Sequence, residues 1–115
     1  KEAGAKLYET HCADCHGAKG QGARSGAGVV IAPALAGNRV VTMEPPANLI
    51  RVIVHGGFQP ATRGNPRPFG MPPFGLALSD AQIAALAGYL RSSWGHQAGE
   101  VLPQEVARWR GGAGE

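Results

Sequence analysis

The only two cysteines of this 115-residue chain lie three positions apart, and a histidine follows the second one directly. The segment reads Cys12-Ala13-Asp14-Cys15-His16. Two thiols on one helical turn can each add to a vinyl group of a haem, and the adjacent imidazole then reaches the iron from below the ring. The spacing therefore predicts one covalent c-type haem attached through Cys12 and Cys15, with His16 as an iron ligand.

Three other uses of paired cysteines fit the chain less well. A zinc knuckle needs two further ligands, and the remaining histidines, His11, His55 and His96, supply neither a second CxxC nor an HxxxH pair. A thioredoxin-like redox pair follows a buried strand, whereas a polar helical stretch precedes Cys12. A disulfide within the motif would close too short a loop to constrain the unfolded chain.

The composition agrees with a bound haem because the side chains alone supply little core. Aromatic residues make up 6% of the chain, while 18 Gly and 9 Pro bring it near compositions that are typical of disorder. A large flat hydrophobic group can fill the centre that these side chains leave. The length suffices for one domain, so we expect residues 1–115 to form a single domain.

Charge and hydropathy narrow the range of partners. Eleven Lys and Arg against eight Asp and Glu give a net charge of +3, and the arginines are scattered singly along the chain. Nucleic-acid binding is therefore not expected. No apolar run approaches the roughly 18 residues that a membrane span requires, so we expect no membrane-spanning segment. Any export signal is expected to have been removed or to lie outside this sequence.

The apolar pattern predicts helices separated by two long loops. Helices are expected over residues 2–11, 47–55, 80–93 and, as a short turn, 101–109. The β-branched content of 47–55 would also suit a strand, but a proline at its start and a glycine at its end favour the helix. The clearest of them starts at Ser79, with Gln82 as its capping-box partner. Residues 17–38 and 58–74 are rich in Gly and Pro, and loops of this length in a small domain are expected to wrap a ligand.

Met71 is the leading candidate for a second axial ligand of the iron. It stands in a proline-rich loop, where a long flexible side chain contributes little to packing unless something holds it. Thioether coordination raises the reduction potential relative to two imidazoles. The other candidates are Met43, His11, His55 and His96. We interpret His11 as solvent-facing, His55 as a residue that caps the end of a helix, and His96 as part of the tail beyond the last helix.

Taken together, these features resemble a class I cytochrome c. The resemblance rests on the motif at 12–16, the Met-Pro-Pro-Phe segment at 71–74 and the helix end Tyr-Leu-Arg at 89–91. It implies an all-α fold of three to five helices, with long Gly- and Pro-rich loops around one covalent haem. It also implies a core of residues 3–94 and a C-terminal extension, residues 95–115.

The resemblance implies roles for individual residues as well. Gly4 and Tyr8 would contact the last helix near Tyr89. The carbonyl of Pro33 would accept a hydrogen bond from the ring of His16, which fixes the ring orientation and strengthens its donation to iron. The implied cofactor-binding set is therefore Cys12, Cys15, His16, Pro33 and Met71, with His16 and Met71 as the iron ligands.

More narrowly, the sequence resembles cytochrome domains of multi-haem subunits that serve periplasmic alcohol, gluconate and sugar dehydrogenases. This likeness implies one-electron transfer, not catalysis, between a periplasmic dehydrogenase or other donor and a respiratory acceptor such as a terminal oxidase. The domain would be a monomer or part of a larger chain, in the bacterial periplasm. The alternative is a haem domain in which Met71 is labile and the iron binds peroxide or a diatomic gas.

Overall fold

Helices dominate the part of the chain that the structure describes. In the computed structural model this part comprises residues 2–24, 26, 28, 30–58 and 70–110. It contains six helices: α1 (Glu2–His11), α2 (Ala13–His16), α3 (Arg39–Thr42), α4 (Ala47–His55), α5 (Asp80–Ser92) and α6 (Pro103–Trp109). Two short antiparallel ladders join β1 (Ala23–Arg24) to β2 (Val30–Ala32) and β3 (Gly57–Phe58) to β4 (Gly70–Met71). The predicted all-α fold is confirmed, and the single-turn helices α2 and α3 bring the number of helices above the expected three to five.

The most extensive contact between elements is the crossing of α1 and α5. Gly4 lies at the crossing, where a Cβ atom would overlap the Ala85 carbonyl and lie 2.7 Å from the Cβ of Tyr89. One turn later, the ring of Tyr8 packs 5.6 Å from that of Tyr89 and 5.3 Å from that of Trp94. Gly4 and Tyr8 therefore both lie against Tyr89 of the last long helix, as the resemblance implied.

Replacing Gly4 with alanine should destabilise the domain because the new methyl group forces α1 and α5 apart. We expect the free energy of unfolding to fall by about 1–3 kcal/mol, the usual cost of overpacking a close contact. Gly88→Ala is the matched control, since a Cβ at this helical glycine meets no atom within 4 Å. That variant should gain about 0.5–1 kcal/mol from helix propensity alone. Thermal unfolding of both variants tests the prediction, and equal stability of the two would contradict it.

The start of α5 is the capping box that the sequence predicts. The Ser79 hydroxyl accepts a hydrogen bond from the backbone N–H of Gln82 at 3.2 Å, and the Gln82 side-chain oxygen accepts one from the N–H of Ser79 at 2.8 Å. The inner face of the helix buries Ile83, Leu86 and Leu90. Together with apolar side chains of α4, they form the centre of the core.

Arg91, near the end of α5, is fully buried, which the sequence did not predict. Its guanidinium donates to the backbone carbonyls of Val41, Met43 and Gly99 at 2.8–3.2 Å and pairs with the carboxylate of Glu44. Several charge-assisted hydrogen bonds offset the loss of solvation of a buried cation. Arg91 thereby joins α3, and the chain that follows α5, to the core.

After α5 the chain turns back, and α6 packs on both α4 and α5. Val101 and Val106 are buried in the core, and Trp109 packs against it from the side. The short helix expected at 101–109 is thus confirmed as α6, which has Val106 on its inner face. Within the described residues, no helix combines the length and the apolar character needed to cross a membrane.

Candidate functional site

The CxxCH motif lies where α1 passes into α2. The backbone N–H of Cys12 donates to the Tyr8 carbonyl, and that of His16 donates to the Cys12 carbonyl, both at 2.9 Å. These bonds shape the motif into one helical turn, on which both cysteines are free thiols. Cys12 is 6% exposed, whereas Cys15 lies at the surface. One thiol therefore faces the core and the other remains accessible from solvent.

The thiol of Cys12 has a raised pKa. Burial, with a smaller contribution from Cys15, raises the pKa of Cys12 to about 11, so this thiol is protonated at neutral pH. Redox-active CxxC pairs show the opposite shift, toward a lower pKa. The described residues also contain no group of three or more His, Cys, Asp or Glu side chains that could hold a metal ion. The raised pKa of Cys12 argues against the thioredoxin-like interpretation of the motif.

His16 is buried, 7% exposed, and a backbone carbonyl holds its ring. The ring Nδ1 lies 2.9 Å from the carbonyl oxygen of Pro33. Because a carbonyl can only accept, Nδ1 carries a proton, and in the neutral ring the lone pair is then on Nε2. This is the contact that the resemblance implied for Pro33. It orients the imidazole and leaves Nε2 as the atom that can bind a metal ion.

The loop at residues 17–38 is fastened to the motif on one side. The N–H of Gly22 donates to the His16 carbonyl at 2.7 Å, and the hydroxyl of Tyr8 donates to the carbonyl of Gly17. Burial is the main cause that raises the pKa of Tyr8 to about 12, so this hydroxyl stays protonated at neutral pH and can donate. The start of the loop is thus held against α1 and α2.

His96 fastens the same loop on its other side, a role that the sequence did not suggest. Its Nδ1 lies 2.8 Å from the Leu90 carbonyl and therefore donates to it, while Nε2 accepts from the N–H of Gly37 at 2.9 Å. Both ring nitrogens are engaged, so His96 is not available as an iron ligand. No sequence signal points to this contact, because Gly37 and His96 lie 59 positions apart.

Met71 lies in β4, opposite Gly57 of β3, and its side chain is half-buried. Gly56, which precedes β3, has a φ angle of +71°, which favours glycine. A Cβ atom on Gly56 would overlap the Met71 carbonyl. Gly56 therefore ends α4 at His55, the boundary that the sequence predicts, and also allows the backbone of Met71 to approach the end of that helix.

The chain that follows Met71 touches the end of α1. The rings of His11 and Phe74 pack edge to face, with their centroids 5.3 Å apart. Because His11 directly precedes Cys12, this contact brings the Met71 loop beside the CxxCH turn. The middle of the predicted loop, residues 59–69, lies outside the described residues.

The other candidate ligands make different contacts. Met43 is exposed, with its Sδ 3.6 Å from the side-chain nitrogen of Asn48. The Nε2 of His55 donates to the Arg110 carbonyl at 3.0 Å. We therefore retain Met71 as the candidate second ligand. The donor set fits a c-type haem: two free thiols on one turn, an imidazole nitrogen with a lone pair, and a thioether on an adjoining loop.

Several known proteins are similar to this chain over nearly its full length. The cytochrome c subunit of the quinone alcohol dehydrogenase of Gluconacetobacter polyoxogenes is 39% identical over 108 residues, 93% of this chain and 22% of the relative. The gluconate 2-dehydrogenase cytochrome c subunit of Pantoea cypripedii is 37% identical over 111 residues, 95% of this chain and 24% of the relative. The fructose dehydrogenase cytochrome subunit of Gluconobacter japonicus is 35% identical over 114 residues, 95% of this chain and 22% of the relative.

The chain thus spans 22–24% of the length of these curated relatives. Their names agree with the narrower resemblance to dehydrogenase cytochrome subunits, which is thereby confirmed. The family model for cytochrome c matches residues 1–94, a range that includes the CxxCH turn, Pro33, Met71 and the whole of α5. The chain therefore belongs to the cytochrome c family.

Proposed function

We propose that this domain carries one electron at a time through a single haem c, bound covalently by Cys12 and Cys15, with His16 and Met71 as axial ligands. The observation that carries the proposal is the buried ring of His16, whose Nδ1 is bound to the Pro33 carbonyl so that Nε2 is left for iron. When bound, the haem supplies an iron centre that gains and loses a single electron.

The chain's own residues prepare the site in three ways. The thiols of Cys12 and Cys15 stand on one helical turn, where both can add across vinyl groups of one porphyrin. The Pro33 carbonyl holds the imidazole of His16 in one orientation and increases its basicity. Met71 offers a thioether, which favours the reduced iron and keeps external ligands out.

The exposed Cys15 marks the side on which we expect electrons to enter and leave. Cys12 faces the core, so the neighbourhood of Cys15 is the part of the attachment turn that a partner can approach. Electron transfer requires only brief encounters, for which small and weak interfaces suffice. The partner therefore needs no deep groove on this domain.

We infer that the donor is a dehydrogenase and the acceptor a respiratory protein, such as a terminal oxidase, in the bacterial periplasm. The inference is supported by the names of the relatives, which are cytochrome subunits of alcohol, gluconate and fructose dehydrogenases. Those relatives are more than four times as long as the match, so we propose that the domain works as one part of a larger electron-transfer subunit.

A stepwise reductive titration followed by addition of carbon monoxide tests the proposed function. We expect the domain to take up one electron per haem. We expect the reduced spectrum to stay unchanged when carbon monoxide is then added, because the Met71 thioether occupies the sixth position. A carbon monoxide complex that forms at once would contradict electron carriage with two protein ligands. It would favour the alternative, a haem domain with a labile Met71 that binds peroxide or a diatomic gas.

A further inference from the structure

Arg110 contacts both the end of α4 and the chain from Met71 to Gly75, called the Met71 segment below. His55 is the last residue of α4, and Gly75 lies in the turn before α5. The Nε2 of His55 donates to the Arg110 carbonyl at 3.0 Å, and the Nη2 of Arg110 donates to the Gly75 carbonyl at 2.5 Å. A single residue thus links the end of α4 to the Met71 segment.

Arg110 is itself held in place by α5 and by the anchoring of α6. Its Nη1 pairs with the carboxylate of Asp80, the first residue of α5, and its side chain is 29% exposed. Beside it, the ring of Trp109 lies under the guanidinium of Arg51, 5.3 Å from ring centroid to Cζ. Val106, one turn earlier, is buried in the core. These contacts restrict the Arg110 side chain, which would otherwise occupy many rotamers.

Backbone hydrogen bonds hold the Met71 segment to α4 at the same place. The N–H of Phe74 donates to the Ile53 carbonyl at 2.9 Å, and the N–H of Gly75 donates to the Val54 carbonyl at 3.0 Å. A Cβ atom on Gly75 would lie 2.9 Å from the Cγ1 of Val54, so the turn is packed tightly between α4 and Arg110. Removing the Arg110 side chain would therefore loosen one end of the Met71 segment, so that its backbone bonds to α4 still form but open more often.

We propose that Arg110 is a positioning residue for Met71, which holds the Met71 segment against α4 so that the thioether seldom leaves the iron. The inference rests on the proposed function, in which Met71 is the second axial ligand. Arg110 lies beyond residues 1–94, which the cytochrome c family model matches. The helix α6 thus adds to the family's domain a contact that controls how firmly the sixth ligand is held.

Imidazole binding to the ferric holoprotein tests this proposal. At saturating imidazole, the rate of the spectral change is limited by dissociation of the Met71 thioether. We expect Arg110→Met to increase this rate about tenfold, which corresponds to ~1.4 kcal/mol. Arg108→Met is the matched control, because Arg108 is exposed on the same helix, and its rate should equal that of the unaltered domain. If Arg110→Met yields no folded holoprotein, Arg110→Lys serves instead, since a lysine lacks the planar fork that reaches both Asp80 and Gly75.

A second control separates local from global effects. Gly4→Ala is expected to reduce stability at the contact between α1 and α5, away from the Met71 segment. An unchanged rate in Arg110→Met, or an equal acceleration in Gly4→Ala at the same loss of stability, would overturn the proposal. Amide hydrogen exchange at Phe74 and Gly75 gives a readout that does not depend on iron ligation, and it should accelerate in Arg110→Met alone. An unaltered domain without a thioether–iron absorbance band would refute the ligand assignment itself, and the inference with it.

Discussion

Replacing Cys12 and Cys15 together with alanine should abolish covalent haem attachment and leave a chain without a cooperative unfolding transition. The two thioether bonds would be the only covalent link between the chain and the haem, so the variant should give no haem-stained band on a denaturing gel. Loss of folding is expected because the haem would no longer fill the core of a chain in which aromatic residues make up only 6%. The substitution also removes the side chain of Cys12 from the core beside Tyr8. Circular dichroism during heating measures this second effect.

Asp14→Ala is the matched control for the double cysteine variant. Asp14 lies between the two cysteines on the same helical turn, with its side chain exposed. Its replacement preserves the spacing of the thiols, so attachment and folding should both be retained. A double cysteine variant that unfolds cooperatively without haem would refute the argument that the haem completes the core, even if attachment is lost as expected.

The sequence predicts the longer helices well because their signals are local. The capping box of α5 involves two residues three positions apart, and Gly56 ends α4 through its own backbone conformation. The CxxCH turn is equally local, so its three reactive side chains follow from spacing alone. The ladders were not predicted, because two or three residues per strand are too few to leave an alternating pattern.

Other features depend on contacts between distant parts of the chain. Arg91 meets the Val41 carbonyl 50 positions away, and Arg110 meets Gly75 35 positions away. An arginine is expected at the surface unless it has partners, and the partners in these cases are mainly backbone carbonyls, which carry no residue-specific signal. Pro33 illustrates the intermediate case, since its contact with His16 across 17 positions was implied by the family resemblance and not by the residues themselves.

Replacing Met71 with alanine should change the iron site without unfolding the domain. We expect the ferric protein to lose the absorbance band that a thioether–haem bond gives. The reduction potential should fall by on the order of 100 mV, part of the roughly 0.8 V over which axial ligands set haem potentials. The physical reason is that a thioether stabilises ferrous more than ferric iron. Absorbance spectra of the ferric protein and a potentiometric titration measure both effects.

Met43→Ala separates loss of a ligand from loss of a methionine. The side chain of Met43 is exposed, and its Sδ contacts the side-chain amide of Asn48. The guanidinium of Arg91 donates to the backbone carbonyl of Met43, and the substitution leaves this carbonyl in place. Both the absorbance band and the potential should therefore stay unchanged in this variant. If Met43→Ala loses the band and Met71→Ala keeps it, the ligand role passes to Met43. A high-spin ferric spectrum in the unaltered protein would exclude both methionines, because a thioether together with an imidazole gives low-spin iron.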